Sequence, residues 1–105
     1  MGDPRKAALR AVKRHGIEGA REIGLEMRAA ARAMPEGDSE SMADIAQRMI
    51  KTVACSWQLD FNDALHAIEA EAFWRSEAEG AKDDTERDSC LSSARFWADR
   101  AGIPA

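Results

Sequence analysis

The stretch from Ser41 to Glu79 constrains the fold more than any other part of this chain. It contains no glycine and no proline, and its apolar residues return at helical intervals. Met42, Ile45, Ala46, Met49, Ile50, Val53 and Trp57 fall within an arc of roughly 140° at about 100° per residue, with Asp44, Gln47, Arg48 and Lys51 opposite. This predicts an amphipathic helix over 42–57 with a broad buried face. Ser41 supplies its cap, since a serine oxygen accepts a free first-turn amide, and Asp44 suits the positive helix end.

Asp60-Phe61-Asn62-Asp63 repeats that start signal, so a hinge and a second helix over 61–79 are predicted, with Gly80 as the stop. Phe61, Ala64, Leu65, Ile68 and Ala72 make one apolar stripe. Ala67, Ala70, Trp74 and Ala78 make another on the far side, with Phe73 between them. A helix apolar on two sides belongs in the middle of a bundle, or gives one stripe to a partner.

The flanking segments are also helical. Asp3-Pro4 combines an acidic N-cap with proline at the first helical position, where its missing amide costs nothing. That helix is expected over 4–15, stopping at Gly16. A second follows over 17–33, with Ala20, Ile23, Gly24, Met27, Ala30, Ala31 and Met34 on one side. Gly19 and Gly24 weaken it by up to about 1 kcal/mol each relative to Ala, unless another helix approaches closely there. Met34-Pro35-Glu36-Gly37-Asp38 breaks the pattern. The last helix, over 85–100, places Cys90, Leu91, Ala94, Trp97, Ala98 and Ala101 on one face and Phe96 nearly opposite.

Tyrosine is absent, and no segment alternates at period two. The expectation is therefore an all-α fold: one domain over 1–105, a compact up-and-down bundle of four to five antiparallel helices joined by short connections. Hydrophobic residues are 45% and charged residues 32%, a globular balance rather than a disordered one. No apolar run reaches the ~20 residues of a membrane span, and the first residues lack the apolar core of a signal peptide. The two cysteines, Cys55 and Cys90, form no disulfide framework. A cytoplasmic setting is the expectation.

Charge is unevenly distributed. Residues 1–34 carry 8 Lys/Arg and 4 Asp/Glu, leaving 7 and 15 for residues 35–105. Arg5, Lys6, Arg10, Lys13 and Arg14 form a basic row able to meet phosphates. The whole chain, however, has a pI near 5.2, whose long-range field opposes nucleic acid. No helix-turn-helix with a basic recognition helix follows Met42–Trp57. The acidic side is denser, running through Glu77, Glu79, Asp83, Asp84, Glu86 and Asp88. Part of this is helix chemistry, because carboxylates favour the start of the last helix.

Catalytic chemistry is poorly represented. Asp63, His66 and Glu69 have helical spacing, but two ligands on one helix do not make a metal site, and the paired Glu-x-x-His pattern of di-iron bundles is missing. Cys55 lies near Arg48 and Lys51, cations that favour a thiolate, yet no histidine is placed as its base. No glycine-rich phosphate loop occurs. No metal or cofactor is expected, and the chain reads as non-enzymatic.

The expectation is a protein-interaction module: an adaptor, regulator or inhibitor. A mobile-element protein blocking a host nucleic-acid-handling complex would suit the same composition. Trp74 and Phe96 lie off their helices' main core faces and are the aromatic anchor candidates, with the acids between Glu77 and Asp88 steering a basic partner. Nucleic-acid binding through the basic N-terminal helix is the alternative, and a homodimer using the second stripe of 61–79 is another; the sequence does not choose between monomer and homodimer.

Overall fold

Three helices carry the chain: α1 (Pro4–Ala33), α2 (Met42–Glu79) and α3 (Asp84–Ala101). The computed structural model describes residues 2–39 and 41–104, and no strand occurs among them. The fold is all-α. Three helices replace the four to five expected, and the reason lies in how two local break signals were resolved.

The first signal holds. Asp3 accepts the Arg5 amide at 2.9 Å and starts α1, but Gly16 sits at φ 75, ψ 173 inside it. Few residues other than glycine tolerate that region. Trp57 donates its indole N–H to the Gly2 carbonyl at 2.6 Å, Arg21 pairs with Glu69, and Lys51 donates to the Arg32 carbonyl at 3.0 Å. Along α2 the first arm of α1 therefore climbs to Gly16, and the second arm returns.

The second signal fails. No hinge exists between Trp57 and Phe61: α2 passes straight through Asp60-Phe61-Asn62-Asp63. Gln58, Phe61, Ala64 and Leu65 are all buried across the supposed joint. The returning arm of α1 packs there so closely that a Cβ on Gly24 would lie 3.6 Å from the Phe61 ring and collide with the Asn62 amide. Tertiary packing thus overrides a capping preference worth about 1 kcal/mol. Gly24 does what the sequence allowed: its missing side chain admits a neighbouring helix.

Both apolar stripes of the C-terminal half of α2 are largely covered. Phe61, Ala64, Leu65, Ile68 and Ala67 join Ala8, Ala20 and Ala101 in the central cluster, and Ala78 is buried as well. Among the described residues Phe61 is the one large side chain that is fully buried, so the core is thin and alanine-rich. Trp57 stacks on Phe61 with centroids 5.7 Å apart, and Trp97 meets His66 edge-on at 5.4 Å. Cys90, Ala94 and Ala101 bury the inner face of α3, which ends in a left-handed cap at Gly102 with Ile103 N donating to the Ala98 carbonyl at 2.9 Å.

The shape is elongated, not compact. Its extents are 64 × 22 × 18 Å and its radius of gyration is 18.0 Å, against about 13 Å for a compact chain of this length. A single helix of 38 residues spans ~57 Å at 1.5 Å per residue, nearly the whole long axis. The other helices do not cover all of it.

Candidate functional site

The aromatic and acidic residues of α3 and of the C-terminal half of α2 form the first candidate surfaces. Phe96 stands on the outer face of α3, 53% exposed, with the Arg100 guanidinium 5.1 Å from its ring centroid. Trp74 is half-buried and packs edge-on against Phe73, whose ring is itself 55% exposed. Phe96 pairs instead with Trp97. Trp97 meets α2 at His66, eight residues or ~12 Å along the helix from Trp74. The structure therefore presents two aromatic pairs rather than one joint anchor. Phe73 is the exposed aromatic that sequence reading did not single out; its position between the two apolar stripes was the available signal.

The acids named with these rings are all exposed: Glu77, Glu79, Asp83, Asp84, Glu86 and Asp88. Three of them also build the start of α3. Asp83 accepts the Glu86 amide at 2.7 Å, Glu86 accepts the Lys82 amide at 3.1 Å, and Asp84 pairs with Arg87 at 3.0 Å. This is a reciprocal cap of the kind that satisfies free first-turn donors. Glu77, Glu79 and Asp88 lie on either side of it.

The basic row occupies the climbing arm of α1. Arg5, Lys6, Arg10, Lys13 and Arg14 are exposed. Arg10, Lys13, Arg14 and His15 surround one open hollow with Ala11 and Ile23. Arg5 stands apart from that group, beside Gly102 and the end of α3.

A cleft of about 510 Å³ opens where the start of α1 and the end of α3 meet the middle of α2. Arg5, Asp60, Asp63, His66, Trp97 and Arg100 line it. Glu69 does not join Asp63 and His66 there, because it pairs with Arg21. Among the described residues no three His, Cys, Asp or Glu side chains gather to hold a metal ion. Cys55 lines a separate hollow with Glu36, Arg48, Lys51, Thr52, Ser56 and Leu59.

The largest departure from expectation lies at the start of α2. Ser41 caps it, accepting the Asp44 amide at 3.2 Å, and the Ser39 and Ser41 hydroxyls both donate to the Asp44 carboxylate. Those two hydrogen bonds hold the Asp44 carboxyl below its usual range. The helix starts where predicted, but the apolar face of its first half is largely exposed. Met42 is 80% exposed, Met49 65%, Ile50 53% and Val53 54%. The first arm of α1 reaches only to Trp57, and among the described residues Met42, Met49, Ile50 and Val53 stay uncovered.

No protein-family model, curated protein or solved structure matches this chain. No helix among the described residues is long and apolar enough to cross a membrane.

Proposed function

We propose that this chain is a non-catalytic helical docking protein of regulator or inhibitor type, working in the cytoplasm. Its contact surface is formed by the exposed aromatics and acids of α3 and of the C-terminal half of α2. One observation carries the reading: Phe73 and Phe96 expose more than half of their surface on the two helices that flank a run of exposed carboxylates. Rigid aromatic rings are favoured anchors at protein interfaces, and a single-sign rim steers an oppositely charged partner. Trp74 supports Phe73 from beneath, and the partner it fits has a basic surface with apolar hollows.

The test is affinity capture from native lysate with nuclease present, repeated with the Phe73→Ala/Phe96→Ala variant. A partner retained by the unmodified chain and lost by a variant of unchanged helicity supports the reading. Equal retention by both removes it. Charge-neutral replacements at Glu77, Glu79 and Asp88 should slow association and flatten its salt dependence, because these acids are exposed and Asp83 and Glu86 are committed to the cap.

A second reading rests on the cluster of Arg10, Lys13, Arg14 and His15 around one hollow. It is nucleic-acid binding through phosphates, and it requires affinity that falls steeply with salt and disappears when Arg10, Lys13 and Arg14 become Glu. Binding that resists both changes excludes it.

A further inference from the structure

We propose that the uncovered face at the start of α2 is a homodimer contact, in which residues 42–53 of two copies pack antiparallel. This surface is distinct from the aromatic–acidic end and needs no foreign partner.

The spacing fits a helix seam. Met42, Ala46, Met49 and Val53 are separated by four, three and four residues, the interval at which two helices interlock side chains along a narrow line. Ile45 and Ile50 flank that line. The outer face of a lone helix would carry charge, but the charged residues of this stretch are engaged elsewhere. Asp44 is bound to Ser39 and Ser41, Arg48 donates to the Ser39 carbonyl at 3.2 Å, and Lys51 pairs with Glu36 at 3.2 Å and donates to the Arg32 carbonyl. No charged side chain lies between Met42 and Val53 on the exposed stripe. A nucleic acid or a strongly charged peptide finds no ionic contact there.

The order of residues selects a second copy in antiparallel register. The stripe is symmetric about the point midway between Gln47 and Arg48. Reversing the chain about that point sets Met42 opposite Val53, Ile45 opposite Ile50 and Ala46 opposite Met49. Each long methionine then meets a smaller residue, which lets two identical faces interdigitate around a two-fold axis. A parallel pairing would instead stack Met49 on Met49 and leave a gap at Ala46.

Length and area agree with this occupant. The bare stretch runs from the first residue of α2 to Trp57, where the Gly2 carbonyl and the first arm of α1 begin. A partner's residues 42–53 fill that space, and the rest of the partner then projects beyond Met42 without meeting α1. The exposures of Met42, Met49, Ile50 and Val53 amount to roughly 500 Å² of apolar surface, the size of the largest patch on a typical monomer and one that often serves a contact. Burying it on both copies removes roughly 1,000 Å², at the threshold of a specific interface. The association is therefore reversible and concentration-dependent.

Sedimentation equilibrium on the whole chain tests this between about 1 μM and about 500 μM, where mass action should separate one chain mass from two. The unmodified chain should pass from one mass to the other across that range. Ala46→Glu and Met49→Glu should each remain at one chain mass throughout, with unchanged far-UV circular dichroism. A single-mass unmodified chain at the highest concentration overturns the proposal, as does a dimer that survives both substitutions. Register is read separately in a Cys55→Ser/Cys90→Ser background. Ala46→Cys mixed with Met49→Cys should oxidise mainly to the mixed disulfide; a preference for like-with-like disulfides overturns the antiparallel arrangement.

Discussion

The two halves of α2 share one helix and one periodicity, yet they meet opposite environments. Residues 57–78 lie between α1 and α3, with Phe61, Leu65, Ala67 and Ala78 each almost wholly buried. Residues 42–53 also carry long apolar side chains, and Met42, Met49, Ile50 and Val53 stay more than half exposed. The difference does not come from the helix itself. It comes from where the other elements end: the first arm of α1 begins beside Trp57, and the last turn of α3 lies near Arg5 at Gly102. A helical apolar stripe states that a face benefits from cover. It does not state what supplies the cover.

The sharpest way to break this comparison is to truncate one residue in each half. Phe61→Ala removes a large, fully buried side chain and should cost about 3–5 kcal/mol in urea unfolding. For so thin a core that is enough to unfold much of the population. Ile50→Ala, measured at a concentration where the chain is monomeric, should change stability by no more than about 0.5 kcal/mol. Equal losses would show that the N-terminal half is packed in solution after all. A growing Ile50→Ala penalty at higher concentration would instead locate that packing between copies.

Next in size is the turn that decides how far α1 reaches. Gly16 holds φ 75, ψ 173, and a Cβ there would meet no atom within 4 Å. Gly16→Ala therefore tests the backbone alone and should cost about 1–3 kcal/mol through strain. If α1 were free to straighten, the variant would lose little stability and its first arm would leave α2, exposing the Trp57 indole. A red shift of tryptophan emission without a stability loss would report that outcome.

The same contrast explains which features were legible in the sequence. The helical class, the caps at Asp3 and Ser41, the stop at Gly80 and the break at Gly16 follow from residues acting on their immediate neighbours, and all appear in the structure. The buried face of α3 and the outward position of Phe96 follow from helical spacing in the same way. The supposed hinge at Asp60 was misleading because a cap signal is local, and Gly24 packing against Phe61 and Asn62 outweighs it. The exposure of Met42, Met49, Ile50 and Val53 was not readable, since it depends on where distant helices stop. Trp74 illustrates an intermediate case: its off-face position was visible, but not that Phe73 beside it would carry more of the exposed surface.

The smallest expected effect concerns Asp44, which ties the exposed half of α2 to the loop before it. Its carboxyl is held below the ordinary value of 3.8 by the Ser39 hydroxyl first and the Ser41 hydroxyl second. A lowered folded-state pKa means that this contribution is fully present above the unfolded value and is lost as pH falls through the folded one. Carbon-detected NMR titration should place the Asp44 midpoint below 3.8, with the amide signals of Asp44 and Ile45 moving together with it. Asn at this position keeps an acceptor but not the charge, so Asp44→Asn should abolish the titration of those amides. A midpoint at or above the ordinary value would mean the Ser39 and Ser41 hydrogen bonds do not form in solution. The loss should also stay local. The start of α2 is held by caps rather than by burial, so unwinding begun at Asp44 should stop near Gln58, the first buried residue of α2, leaving Phe61 and the covered half intact.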